Sequence, residues 1–197
     1  MRIISGSYRG KKILEPKDTK TRPLKDLTKE SIFNIINHSN KFKVQLTGAK
    51  VLDLFSGVGS FGIECLSRGA SKVIFAENYM GVLPVLKKNL LNLKCNNSYE
   101  ILEKDIYKEN TLLMLSEVFE IIFLDPPYKD KNLEKIFETI VKGNILEKNG
   151  IVILHRHKKE KDLILPKFKI VEQKQYGISK INYISCLLYT SDAADDV

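Results

Sequence analysis

Asp53-Leu54-Phe55-Ser56-Gly57-Val58-Gly59-Ser60-Phe61-Gly62 is the stretch whose reading decides the fold of this 197-residue chain. It continues the apolar run Lys50-Val51-Leu52, so a buried strand passes directly into a glycine-rich turn. Ser60 to Arg68 then reads as a helix halted at Gly69, a C′ glycine. Outward from there, Lys72-Val73-Ile74-Phe75-Ala76-Glu77 is rich in β-formers and predicts a second strand. Leu83, Leu86, Leu90 and Leu93 predict a helix over about 82–93. A weaker strand is expected over 99–104 and a helix over about 109–118. Ile121-Ile122-Phe123-Leu124 is continuously apolar, as in a strand buried on both faces. A helix over about 131–142 follows, with strands expected over 150–154, 168–174 and 181–188. Strands alternating with helices at this spacing predict an α/β fold with a mainly parallel sheet. Ligands of such sheets bind beyond the carboxyl ends of the strands, which places the loops after Phe55, Glu77, Lys104 and Leu124 around one crevice.

Gly57, Gly59 and Gly62 satisfy G-x-G-x-x-G, and Glu77 ends the next strand 20 residues after Gly57. That pattern also fits a dinucleotide site, with a pyrophosphate at the helix N-terminus. Asp53 speaks against it, because a carboxylate four residues before the first glycine opposes a pyrophosphate. A cationic ligand without phosphate suits the turn better, and S-adenosylmethionine has that chemistry. On this reading Asp53, Phe55, Gly57 and Gly59 form the cofactor loop, Glu77 holds the ribose hydroxyls, and Asp105 lies near the adenine. The remaining alternative is a tight turn that needs glycine for backbone reasons alone.

The second chemical motif is Asp125-Pro126-Pro127-Tyr128, 72 residues after Asp53 and directly behind the apolar strand. Two prolines fix φ and remove two donors, leaving a rigid run of carbonyl acceptors. An aromatic amine is a poor nucleophile because its lone pair is delocalised into the base. Hydrogen bonds from its two N–H groups to Asp125 and the Pro126 carbonyl would draw the nitrogen toward sp³ and aim the lone pair. Tyr128 supplies a ring on which an extruded base can stack. Asp125, Pro126, Pro127 and Tyr128 are therefore the candidate catalytic residues.

Net charge is +8, and residues 1–50 contain 12 Lys/Arg against 4 Asp/Glu. A basic extension ahead of a near-neutral domain points to a polyanionic partner, the alternative being a merely solvated surface. No apolar run approaches the ~20 residues that cross a bilayer, and the N-terminus lacks a signal-peptide stretch. Cys65, Cys95 and Cys186 are scattered without metal-ligand spacing, which suggests reduced thiols, a cytoplasmic protein and no metal. No cysteine is placed for methylation at a base carbon, and neither a G-x-S-x-G elbow nor a P-loop is present. His155 and His157, beside the basic run 156–161, are read as surface residues.

With both motifs in place, the chain resembles the bacterial small-subunit (16S) ribosomal RNA guanine-N2 methyltransferase family, the RsmD type. The resemblance rests on Met1 to Lys12, Thr21-Arg22-Pro23 with Lys29 to Ile35, Asp53 to Glu64, Ser67 to Ala70, Asp125 to Tyr128 and Tyr176-Gly177. Leu154-His155 departs from the Glu-His usual in the family, and Asn78-Tyr79-Met80 replaces a more charged stretch. The resemblance implies a Rossmann-like class I S-adenosylmethionine-dependent methyltransferase fold with an antiparallel last strand and a basic N-terminal extension. It implies methylation of one guanine in 16S ribosomal RNA, within the small ribosomal subunit or its late precursor; a monomer is expected. Arg2, Arg9, Lys11, Lys12 and Arg22 are the expected RNA contacts. The expected division is 1–48 as RNA-binding extension, 49–188 as methyltransferase domain, and 189–197 as a tail foreign in composition. The rival readings are a DNA adenine-N6 methyltransferase using the same tetrapeptide and a nicotinamide-dependent oxidoreductase.

Overall fold

The computed structural model describes residues 1–16, 24–108, 110–161 and 164–187. Arg22 and the expected tail 189–197 lie outside these residues. Seven strands form one sheet: β1 (Lys50–Leu54), β2 (Lys72–Ala76), β3 (Tyr99–Leu102), β4 (Phe119–Leu124), β5 (Leu146–His157), β6 (Phe168–Tyr176) and β7 (Ser179–Cys186). Their order is β3-β2-β1-β4-β5-β7-β6. The first five are parallel, while β7 runs antiparallel between β5 and β6. The strand order reverses between β1 and β4, so the carboxyl ends of those two strands flank the crevice where such folds bind ligands.

Apolar layers cover both faces. Val51, Val73, Phe75, Ile121, Phe123, Ile151 and Ile153 pack with α2 (Ser60–Ser67) and α3 (Leu83–Leu91) on one side. Leu52, Leu54, Ile122, Leu124, Val152 and Leu154 pack with α4 (Leu133–Gly143) on the other. α4 buries Leu133, Ile136, Phe137 and Ile140, the i, i+3, i+4, i+7 stripe of an amphipathic helix.

Two elements beyond β1 differ from the sequence reading. Residues 110–118 form turns and one short 3₁₀ segment, Leu113–Leu115, instead of a helix. Leu112 is buried while Met114 is 68% exposed; the run Leu112–Leu115 has no single face to bury, and Ser116 breaks it with φ of 49°. β5 extends to both sides of the expected 150–154, because pairing with β4 and β7 carries it through His157.

The N-terminal region contains α1 (Asp26–His38), for which periodicity predicted no element. Ile3, Ile13, Ile32, Phe33 and Ile36 join the same apolar cluster as Val51 and Phe61, so the extension shares the core of the sheet. Residues 1–13 form a small antiparallel loop with Arg2 opposite Lys12. Buried charge holds it down. The Glu64 carboxylate, fully buried on α2, accepts the N–H groups of Ile4 (2.8 Å) and Ser5 (2.9 Å) and the Arg68 Nε–H (2.8 Å). Lys29, also fully buried, donates to the Arg2 carbonyl at 2.9 Å and lies 3.7 Å from Glu64. It is therefore not part of an exposed basic surface.

Candidate active site

The glycine turn is closed by carboxylates. Gly59 caps α2 with φ of 84°, a left-handed position that a side chain would strain, and an added Cβ would lie 2.7 Å from Leu86 Cδ1. α2 therefore begins without a side-chain cap of its own. Asp53, projecting from β1, supplies that function: its Oδ2 accepts the Gly62 N–H, at the third helical position, at 3.0 Å. Glu77 at the end of β2 does the same for the turn, accepting the Gly57 N–H at 2.8 Å and the Tyr79 N–H at 2.8 Å. Phe55 sits at φ of 61°, a conformation uncommon for a bulky side chain and characteristic of functional sites. Its ring lies 6.0 Å from that of Tyr107.

Asp53, expected in the cofactor loop, is 1% exposed and braces that loop through the Gly62 N–H. Burial pushes its carboxyl well above the usual carboxylate range; the Gly62 N–H opposes that shift, while Asp125 and Glu77 add to it. Glu77 and Asp105 are half-buried at the carboxyl edge, with Asp105 Oδ1 accepting the Tyr107 N–H at 2.9 Å.

Strand register brings the second motif alongside. Leu54 pairs with Leu124, and the Asp125 N–H reaches the Leu54 carbonyl at 3.4 Å. Pro126 is buried and Pro127 exposed, and the Tyr128 ring stands edge-on to that of His157 at 5.7 Å. The Pro127 carbonyl is already engaged, accepting the Asp130 N–H at 2.9 Å and Arg156 Nη1–H at 3.0 Å. The buried Pro126 presents the other carbonyl of the pair of prolines, directly after Asp125.

Two residues that read as surface in the sequence are part of this construction. His155 is 9% exposed, with Nδ1 at 2.8 Å from Asp125 Oδ1 and Nε2 at 2.9 Å from Ser179 Oγ. Arg156 is 2% exposed and bridges the carbonyls of Pro127 and Asp130, the latter at 3.0 Å. The Tyr107 hydroxyl donates to Asp130 Oδ2 at 2.6 Å, so the loops after β3 and β4 are tied together. Burial and that carboxylate push the Tyr107 hydroxyl pKa upward. The apolar run ends at Leu154, which makes the next residues look solvated; their burial arises from β5 lying between β4 and β7.

Of the expected RNA contacts, Arg2, Arg9, Lys11 and Lys12 are exposed together on the N-terminal loop, with Lys11 Nζ 4.9 Å from the Tyr8 ring centre. Ser7 and Tyr8 are fastened to Ser67 at the end of α2, the helix end remote from the glycine turn.

A seven-stranded sheet in this order, with an acidic glycine turn and a D-P-P-Y segment on adjacent parallel strands, defines the Rossmann-like methyltransferase class. The solved structure of HI0767 from Haemophilus influenzae, assigned as a methylase, is 30% identical and superposes with a TM-score of 0.73, covering 95% of this chain and 98% of that one. The Escherichia coli protein yhhF, assigned as a methyltransferase, shares the fold at a TM-score of 0.79 and 24% identity, covering 94% and 97% of the two chains. The family model described as Conserved hypothetical protein 95 matches residues 1–185, and the chain belongs to that family. Ribosomal RNA small subunit methyltransferase D of Haemophilus influenzae is 32% identical over 184 residues, covering 90% of each chain. The protein of the same description from Escherichia coli K12 is 34% identical over 153 residues, covering 76% of this chain and 68% of that one.

Proposed function

We propose that this protein transfers a methyl group from S-adenosylmethionine to the exocyclic N2 of a guanine in small-subunit ribosomal RNA. The observation that carries this reading is the pairing of a carboxylate with a carbonyl, Asp125 with Pro126, fastened beside the glycine turn by the Asp125 N–H to Leu54 bond. An amino group offers two N–H donors, which is what such a pair accepts. The ribosomal RNA substrate follows from family membership and from the relatives described as ribosomal RNA small subunit methyltransferase D.

The residues present fit the cofactor. The backbone donors of Gly57 and Gly62, which a pyrophosphate would need, are already taken by Glu77 and Asp53. Glu77 and Asp125 both lie near enough to Asp53 to disfavour its ionised form, and two carboxylates around one crevice favour a cationic, phosphate-free ligand over a nicotinamide dinucleotide. Phe55, Gly57, Gly59, Glu77 and Asp105 would hold it. When bound, S-adenosylmethionine supplies a methyl group already activated on a sulfonium. The protein therefore contributes mainly positioning and electrostatic complementarity. Asp125 and the Pro126 carbonyl orient the amine, Tyr128 stacks on the base, and Arg156 keeps the loop behind them rigid. Asp125 would also take the proton that the amine sheds. Arg2, Arg9, Lys11 and Lys12 would hold phosphates away from the reacting base. The small ribosomal subunit as partner, a cytoplasmic location and a monomeric state complete the proposal; among the described residues no helix is long and apolar enough to cross a membrane.

The test is nucleoside mass spectrometry of ribosomal RNA from a strain lacking the gene. One N2-methylguanosine of the small subunit should vanish, and the purified enzyme should restore it. Unaltered ribosomal RNA, or methyl transfer to adenine N6 in DNA instead, would overturn the reading.

A further inference from the structure

The Asp125 carboxylate is not alone. His155 lies beside it across the β4–β5 ladder, one step beyond the Leu124–Leu154 pair, and Ser179 starts the adjacent β7. His155 pairs with Ile181, so Ser179 is its diagonal neighbour on the same face of the sheet. Three adjacent strands thus align Asp125 Oδ1, the two imidazole nitrogens and Ser179 Oγ, with separations of 2.8 and 2.9 Å. The methyl-transfer scheme makes no use of the imidazole.

We propose that His155, oriented by Ser179, is a positioning residue that fixes the Asp125 carboxylate for methyl transfer. This rests on the reading of Asp125 as acceptor for the substrate amine. An acceptor carboxylate requires a donor at the atom facing Oδ1, so Nδ1 carries the hydrogen. In the neutral imidazole Nε2 then has the lone pair, which the Ser179 hydroxyl satisfies by donating. The opposite tautomer would set a lone pair against a carboxylate oxygen. With Oδ1 engaged, the plane of the carboxylate is set and Oδ2 is left for the amine. The groups around the imidazole agree with this role: Asp125 directly after β4, Ser179 from β7, and on β5 itself Arg156, whose guanidinium bonds the Pro127 and Asp130 carbonyls.

Two amide substitutions separate this role from packing. Asn can place an N–H near the position of Nδ1, whereas Gln places one near Nε2. The assay is steady-state transfer of labelled methyl groups to small ribosomal subunits from a strain lacking the gene, with S-adenosylmethionine affinity and thermal unfolding measured alongside. His155→Ala should lower kcat by roughly 10–100-fold, the scale of a misplaced reacting group, with little change in cofactor affinity or in KM for the subunit. His155→Asn should recover most of that loss, and His155→Gln should not. Equal kcat for the Asn and Gln variants, or a kcat for His155→Ala within twofold of the parent, would overturn the inference. Asp125→Ala is the reference arm. If it is inactive while His155→Ala is fully active, only the role of His155 fails; if it is itself active, the reading of Asp125 fails with it.

Discussion

Replacing Glu64 by Ala should destabilise the whole protein and not merely release its N-terminus. The carboxylate is fully buried and accepts two backbone N–H groups and the Arg68 guanidinium, with donor–acceptor distances of 2.8–2.9 Å. It also faces the buried Lys29 at 3.7 Å. Truncation leaves Lys29 with the Arg2 carbonyl, Ser60 Oγ at 3.3 Å and Asp26 at 3.6 Å as its polar partners. Burial already depresses the Lys29 pKa, and Glu64 is the foremost group opposing that depression. Breaking a buried pair from one side costs about 3–5 kcal/mol. That is a large share of the ~5–15 kcal/mol that stabilises an ordinary domain. At ~2–4 °C per kcal/mol for a chain of this size, the unfolding midpoint should fall by roughly 6–20 °C. Urea and thermal unfolding followed by circular dichroism measure the loss. Trypsin should also cut sooner at Arg9, Lys11 and Lys12. Adding Lys29→Met removes the stranded cation, so the double variant should be more stable than Glu64→Ala alone. A loss below about 1 kcal/mol, or a double variant whose losses simply add, would refute the reasoning, since neighbours in one network are expected to couple.

Three further outcomes are expected. Because the folded-state pKa of Asp53 is raised, the native protein binds more protons than the unfolded chain between the ordinary Asp pKa and the raised one, and stability falls as pH rises through that window. Asp53→Asn keeps an acceptor for Gly62 and removes the ionisation, so its stability relative to the parent should increase from pH 4 to pH 7 in urea titrations; a difference independent of pH would contradict this. Glu77→Ala should weaken S-adenosylmethionine binding by ~1–3 kcal/mol in calorimetry, the cost of unpaired polar groups in a closed site, and tight binding of a nicotinamide dinucleotide by the parent would be the contrary result. Neutralising Arg9, Lys11 and Lys12 together should flatten the dependence of RNA affinity on salt, by ~0.7–0.9 in log–log slope for each phosphate left without its cation, while cofactor affinity stays constant; an unchanged slope would remove the N-terminal loop from the RNA interface.

Much of this molecule is determined by short-range pattern. The strand ending at Leu54, the glycine turn, α2 and the apolar β4 ahead of Asp125 are each encoded within about ten residues, so periodicity and turn chemistry suffice to read them. The Asp125-Pro126-Pro127-Tyr128 segment at the end of β4 is legible for the same reason, its backbone being restricted by two prolines. What tertiary structure alone decides is which groups meet across the sheet. In the sequence Asp53 has the look of a ligand-facing carboxylate, and only the return of α2 over β1 shows it capping the Gly62 N–H. His155 and Arg156 look solvated because polar residues follow an apolar run, and only the insertion of β7 beside β5 buries them against Asp125 and Pro127. The basic N-terminus reads as an appendage, yet Glu64, some 60 positions away, draws it onto the core together with Lys29. In each case the side chain's environment is made by strand order and helix placement, and these arise from burying two apolar layers at once, which no local window of sequence contains.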